Sequence, residues 1–208
     1  MSYPTVEIHT SEGRVSVHIE TERLSIRSYE PDRDYIDCVS LYGDPILTKY
    51  FDFGRPYTPE EVKEMTYERG CRFFRNGELL GLFSVFEKSS GSFIGQVDLL
   101  PTDEEGTVEI GYIFLRQFHF MGYCQEAIQG LISEYVPSLQ EKRFFTNGGP
   151  IQKLVASAHP QNYASLKQIQ KLGMSFNSAT KRFGAERYIF SLTLPQKHFR
   201  KEEKIYAN

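Results

Sequence analysis

Apolar and polar positions alternate along the start of the chain. Val6 and Ile8 precede a Ser11-Glu12-Gly13 turn, and Val15, Val17 and Ile19 follow at every second position. A period of two places these side chains on one face, so the segment predicts a β-hairpin, with Leu24 and Ile26 continuing into a further strand. The period then lengthens. Pro31 suits the first turn of a helix reaching Leu41, and Asp44-Pro45 begins a short second one. Thr58-Pro59-Glu60-Glu61 combines a cap, a proline at the first helical position and a capping-box glutamate, and predicts a helix to about Glu68, before Gly70.

Strand character returns at Leu80–Phe86, Phe93–Leu99 and Thr107–Leu115. Short connections between them predict an antiparallel meander. Ala127, Ile128, Leu131, Ile132 and Tyr135 mark one helical face between Tyr123 and Val136, which Pro137 is expected to stop, leaving residues 138–150 as a long loop or an extra turn. Leu154–Ala158 reads as a short strand. Asn162 caps a helix carrying Leu166, Ile169 and Leu172, which Gly173 ends, and two strands follow near Met174–Phe183 and Arg187–Leu194. The order β-α-α-β-β-β-α-β-α-β-β predicts a mixed α/β (α+β) domain around one sheet. The charged tail from Lys197 stands outside it.

Composition narrows the chemistry. A chain of 208 residues, 40% hydrophobic and 25% charged, fits one globular domain. A formal net charge of -3 gives no basic face, which argues against nucleic acid and suits a cationic acceptor such as an amine. Cys38, Cys71 and Cys124 are odd in number and widely spaced, and the histidines lack ligand spacing, so neither a disulfide framework nor a metal site is expected. The N-terminus has no signal-peptide pattern and no apolar run approaches a membrane span of roughly 20 residues. A cytoplasmic protein is the expectation.

The segment Tyr112–Ala127, YIFLRQFHFMGYCQEA, leads from a strand through a turn into a helix. Free N–H groups at the helix start and the helix dipole favour an anion there. Phe118, His119, Phe120 and Met121 equally suit a packed corner. In strand 107–115, Glu109 points with Gly111 and Ile113, as a base or as an exposed carboxylate. Asn162 and Ser165 stand at Ncap and N3, and capping accounts for both. Cys124 at a helix start has the place of a thiol with a depressed pKa.

The motifs together resemble a known family. Gln117-Phe118-His119-Phe120-Met121-Gly122 is similar to the (Gln/Arg)-x-x-Gly-x-(Gly/Ala) segment of the GNAT acyltransferase superfamily. Gly122-Tyr123-Cys124-Gln125-Glu126-Ala127 resembles the Gly-Tyr-x-x-Glu-Ala of its RimJ/RimL branch, and Val108–Tyr112 its fourth strand. Thr21–Arg27, Pro160–Ser165 and Lys171–Met174 match further signatures, in order, over residues 21 to 194. The resemblance implies a GNAT fold: a mostly antiparallel sheet splayed between strands 107–115 and 154–158, with helices on both faces. Residues 1–20 would be a hairpin extension, 21–196 the domain and 197–208 a tail.

It also implies an acetyl-CoA-dependent N-acetyltransferase, with no metal, whose acceptor is a protein N-terminus or a small amine. The resemblance assigns CoA contacts to Ile113, Phe114, Leu115, Gln117, Phe120, Met121, Gly122, Tyr123, Cys124, Asn162 and Ser165. Glu109 is implied as base and Ser165 as proton donor to the departing thiolate, with Tyr112 or Tyr163 as substitutes. Backbone N–H groups near Ile113 or Phe114 would meet the oxyanion. Phe120 departs from the family, standing where its first glycine usually is. That departure motivates a different reading, an inactive module binding CoA or a protein. The hairpin motivates another, pairing with a second copy as a homodimer.

Overall fold

The computed structural model describes residues 4–195. Nine strands form one sheet in the order β1-β2-β3-β4-β5-β6-β9-β11-β10. They are β1 (Thr5–Ser11), β2 (Arg14–Glu20), β3 (Leu24–Ser28), β4 (Gly81–Glu87), β5 (Phe93–Pro101), β6 (Thr107–Phe114), β9 (Lys153–Ala158), β10 (Ser175–Arg182) and β11 (Ala185–Thr193). Every neighbouring pair is antiparallel except β6 and β9, which run parallel. A two-stranded ladder, β7 (Phe145–Thr146) with β8 (Gly149–Pro150), stands apart.

The hairpin of β1 and β2 is paired into the main sheet. His18, Ile19 and Glu20 of β2 pair with β3. Val17 and Ile19 are essentially without solvent exposure and belong to the main apolar cluster. The sheet therefore begins before residue 21.

The helices are α1 (Pro31–Tyr42), α2 (Pro45–Thr48), α3 (Pro59–Thr66), α4 (Arg72–Arg75), α5 (Tyr123–Gly130), α6 (Val136–Glu141) and α7 (Tyr163–Lys171). Thr58 and Glu61 form the expected capping box on α3, and Asp44 caps α2 through the N–H groups of Ile46 and Leu47. Two helices run past their expected ends. A π-turn at Tyr67–Cys71 carries α3 into α4, and another at Leu131–Tyr135 carries α5 into α6. Pro137 therefore does not end its helix. It sits in the first turn of α6, where its missing N–H is tolerated because the preceding π-turn has already broken the regular ladder. Residues 138–150 hold the rest of α6 and the small ladder instead of a loop.

Two apolar clusters flank the sheet. One contains Val108, Ile110, Ala127, Ile128 and Leu131; the other contains Ile113, Leu82, Cys38, Leu41 and Val62. Alternate β6 residues thus serve opposite layers, as the period-two pattern requires. The tail from Lys197 lies outside the described residues. Among the described residues no helix is long and apolar enough to cross a membrane.

Candidate active site

The site is built where two strands part. β6 and β9 pair only at Thr107, Val108 and Glu109 with Lys153, Leu154 and Val155. Beyond Glu109 they diverge. On its other edge β6 stays paired with β5 through Phe114, and the Leu115 N–H donates to the Ile94 carbonyl at 2.9 Å. In an antiparallel ladder, hydrogen-bonding residues alternate. Gly111 and Ile113 therefore face β5, while the N–H groups of Tyr112 and Phe114 face the gap. Of the N–H groups near Ile113 and Phe114 expected to meet an oxyanion, the Phe114 one faces the gap and the Ile113 one does not. The Phe114 carbonyl also points away from β5, accepting from His119 Nε2 at 2.8 Å.

A cavity of about 300 Å³ lies at this divergence. Its walls come from β6 (Glu109 to Ile113), the end of β9 (Ser157 and Ala158), Asn162 and Ser165 of the α7 entry, and Tyr50–Asp52 after α2. Arg69, Asp98, Arg182, Phe183 and Arg187 complete it. Glu109, Ile113, Asn162 and Ser165 are thus brought together on one cavity.

Glu109 is strongly engaged. Arg182 Nη1 donates to both of its oxygens at 2.7 and 2.8 Å, and Ser157 Oγ donates to one at 3.2 Å. Asn162 Oδ1 accepts from the Ser165 N–H at 3.2 Å, the expected cap. Ser165 Oγ lies 2.9 Å from Tyr112 Oη. Burial pushes the Tyr112 phenol well above its usual pKa. The two hydroxyls therefore form a neutral hydrogen-bonded pair at the mouth of α7. Tyr163 is exposed and lies outside the cavity.

Asp98 is the residue that motif reasoning passed over. It stands on β5 directly opposite Gly111 and is 7% exposed. A Cβ on Gly111 would fall 2.4 Å from Asp98 Oδ1, so the carboxylate lies against the bare backbone of β6. Arg69 Nη1 is 4.0 Å away and is itself paired with Asp52. Burial raises the Asp98 pKa to about 6; Arg69 opposes the rise, Glu109 and Asp52 add to it, and the Gly111 N–H opposes it. A signal was present in the sequence. Asp98 is the one ionisable residue in FIGQVDLLP, a central strand, and a buried charge there needs a reason. No local pattern announced the arginines. Arg187 is 5% exposed, donates to the Tyr50 and Asp52 carbonyls at 2.8 and 2.7 Å, and so holds that loop over the cavity.

The turn before α5 has the shape of an anion cradle. Gly122 is left-handed at φ 83°, and so is Phe120 at φ 64°. Phe120 thus adopts the backbone that a glycine would, at a cost of about 1–2 kcal/mol. Its ring does not pack under the loop; it is fully exposed, whereas Phe118 packs against Tyr123 with ring centroids 6.1 Å apart. Arg23 Nη1 donates to the Met121 carbonyl at 2.9 Å and fixes the turn from outside. Gln117 lies in the short 3-10 turn Arg116–Phe118 that leads into it. Cys124 does not carry a depressed pKa, because burial pushes its thiol up to about 12. Helix-terminus stabilisation is outweighed by desolvation. Among the described residues, no group of three or more His, Cys, Asp or Glu is placed to hold a metal ion.

Residues 23–175 match the family model for the acetyltransferase (GNAT) domain. The chain belongs to the GNAT acetyltransferase family. It is 29% identical over 168 residues to the uncharacterized protein YkkB of Bacillus subtilis, covering 78% of this chain and 88% of that one. It is 27% identical over 158 residues to the uncharacterized N-acetyltransferase YnaD of the same organism, covering 76% and 82%. In fold it resembles a GNAT-family acetyltransferase from Bacillus anthracis, with TM-score 0.66, 21% identity, and 85% and 98% of the two chains covered. It also resembles RimL, a ribosomal L7/L12 α-N-protein acetyltransferase solved with coenzyme A, with TM-score 0.64, 13% identity, and 84% and 96% covered. This GNAT protein is an N-acetyltransferase, of a family that uses acetyl-CoA, and its fold is the expected one.

Proposed function

We propose that this GNAT enzyme transfers acetyl from acetyl-CoA to a primary amine, a protein N-terminus or a small amine, by direct attack on the thioester. The observation that carries the reading is the cavity at the divergence of β6 and β9. It presents carboxylates beside backbone donors of the parted strand.

The chain's residues fit both substrates. The left-handed turn at Phe120 and Gly122, followed by the α5 N-terminus, suits a pyrophosphate held by backbone N–H groups. Residues Gln117 to Cys124 would form that cradle, and Ile113, Phe114, Leu115 and Asn162 the pantetheine track. The Phe114 and Tyr112 N–H groups are oriented for a developing oxyanion. Ser165, linked to Tyr112, would protonate the departing thiolate. Glu109 attracts and orients the ammonium while Arg182 holds it. The exposed Phe120 ring does not pack into the turn, which supports CoA binding there.

Calorimetric titration with acetyl-CoA, followed by thiol-detected CoA release across a panel of primary amines, tests the proposal. Binding together with amine-dependent release is expected. No binding at millimolar acetyl-CoA would sink it.

A further inference from the structure

We infer that Asp98, rather than Glu109, is the group that takes the proton from the acceptor ammonium in this site, an inference that rests on the transferase reading above.

Both carboxylates belong to the same face of the sheet. Asp98 faces Gly111 across the β5–β6 ladder, and Glu109 is two residues from Gly111 on β6. Their surroundings divide the work. Glu109 accepts from Arg182 at both oxygens and from Ser157. Taking a proton there would break a charge-assisted pair. Asp98 has no comparable partner: its nearest cation, Arg69, stands 4.0 Å off and is committed to Asp52. Gly111 places it for the task. With no side chain at 111, the Asp98 carboxylate lies on the β6 backbone, one residue before the Tyr112 N–H that faces the gap. Any larger residue at 111 would occupy the space of Oδ1.

The charged and titratable groups around Asp98 are Arg69 from the π-turn, Asp52 from the loop after α2, Glu109 from β6 and Tyr42 from α1. The balance of burial and these neighbours puts Asp98 at about 6. A base with that affinity is largely ionised at neutral pH and holds a proton better than an ordinary aspartate near 3.9.

The protons balance. One leaves the ammonium for an Asp98 oxygen, directly or through one water, and passes to solvent. The freed nitrogen lone pair forms the C–N bond. The nitrogen loses its second proton as the C–S bond breaks with its electrons on sulfur, and the thiolate takes one proton through the Ser165–Tyr112 pair. The products are the amide, CoA thiol and one released proton.

The test uses the full chain with acetyl-CoA and n-butylamine as a generic primary amine. CoA release is followed from pH 5 to 9 for the wild type, Asp98→Asn, Glu109→Gln and Gly111→Ala. Wild-type kcat should rise through a limb near pH 6. Asp98→Asn should lose that limb and at least about 100-fold in kcat, within the usual range for removal of a general base. Its acetyl-CoA affinity by calorimetry should stay within about threefold of wild type, which separates chemistry from folding. Glu109→Gln should keep the limb and raise the KM for butylamine. Gly111→Ala retains Asp98 but displaces its carboxylate, and should lose kcat comparably. An Asp98→Asn enzyme with wild-type kcat, or a limb that vanishes in Glu109→Gln instead, overturns the assignment. Wild-type protein that binds acetyl-CoA but acetylates no amine overturns the transferase reading itself.

Discussion

Arg23, just before β3, is joined to Glu126 of α5. The Arg23 Nε donates to Glu126 Oε2 at 2.6 Å and its backbone N–H donates to Oε1 at 2.7 Å, while Thr21 Oγ1 donates to the same Oε1 at 2.6 Å. The guanidinium lies over the Tyr123 ring at 4.4 Å. Two motifs about a hundred residues apart are thus one structural unit, and through the Met121 carbonyl it fixes the turn before α5.

Glu126→Gln should therefore loosen the turn as well as the fold. Burial raises its pKa, but the bonds from Thr21 and Arg23 outweigh that and leave it lowered. A depressed folded pKa adds stability above the unfolded value near 4.3, lost as pH falls through the folded one. Arg23 is partly exposed, so a loss of about 1–2 kcal/mol is reasonable. Thermal melts at pH 7 should drop by roughly 2–8 °C, with the gap closing toward pH 3. Acetyl-CoA affinity measured by calorimetry should weaken severalfold.

Phe120→Gly separates strain from entropy. Relief of the left-handed backbone is worth about 1–2 kcal/mol, and glycine's greater freedom when unfolded costs about 0.5–1. The fully exposed ring has little packing to lose, an edge contact with the His119 ring at 6.1 Å between centroids. A net gain of up to about 1.5 kcal/mol should appear in urea melts. Acetyl-CoA affinity should remain within about threefold of wild type; a tenfold loss would mean that the ring itself grips the ligand.

Asp98→Asn should be more stable than the wild type at pH 7.5. The folded pKa of about 6 exceeds the ordinary aspartate value. Between the two, the native state binds more protons than the unfolded chain, so stability falls as pH rises. A gain on the order of 2 kcal/mol is expected at pH 7.5, shrinking to nothing near pH 4. Denaturant melts at both pH values check it. A variant that gains stability while losing turnover fits a charge buried for chemistry.

Removing residues 1–20 should unfold the domain or weaken it severely. Val15, Val17 and Ile19 are buried, and each contributes about 1.5–3 kcal/mol. Circular dichroism melts of the truncated chain should show a loss on the order of 5 kcal/mol or no cooperative transition. A truncated chain with an unchanged melt would restore the hairpin as a separate extension.

Much of this molecule was legible from local pattern. Period-two runs gave the strands, and Thr58, Asp44 and Asn162 marked helix starts whose caps have the expected partners. The ordered motifs led to the family and to Glu109, Asn162 and Ser165 on one cavity, because a motif preserves spacing along single elements. Pro137 was misread because a π-turn, a feature of the helix ladder, removes the penalty that proline carries alone.

Only the tertiary structure decided the electrostatics. Asp98 and Gly111 stand on consecutive strands, and only the register of β5 against β6 sets the carboxylate against bare backbone. Arg182 comes to Glu109 from β10, two strands beyond β9, and Arg187 reaches the cavity from β11. Sequence determines which groups exist and the period that turns them toward one face. How strongly each holds its proton depends on burial and on charges brought close by folding, and neither distance is written in local spacing.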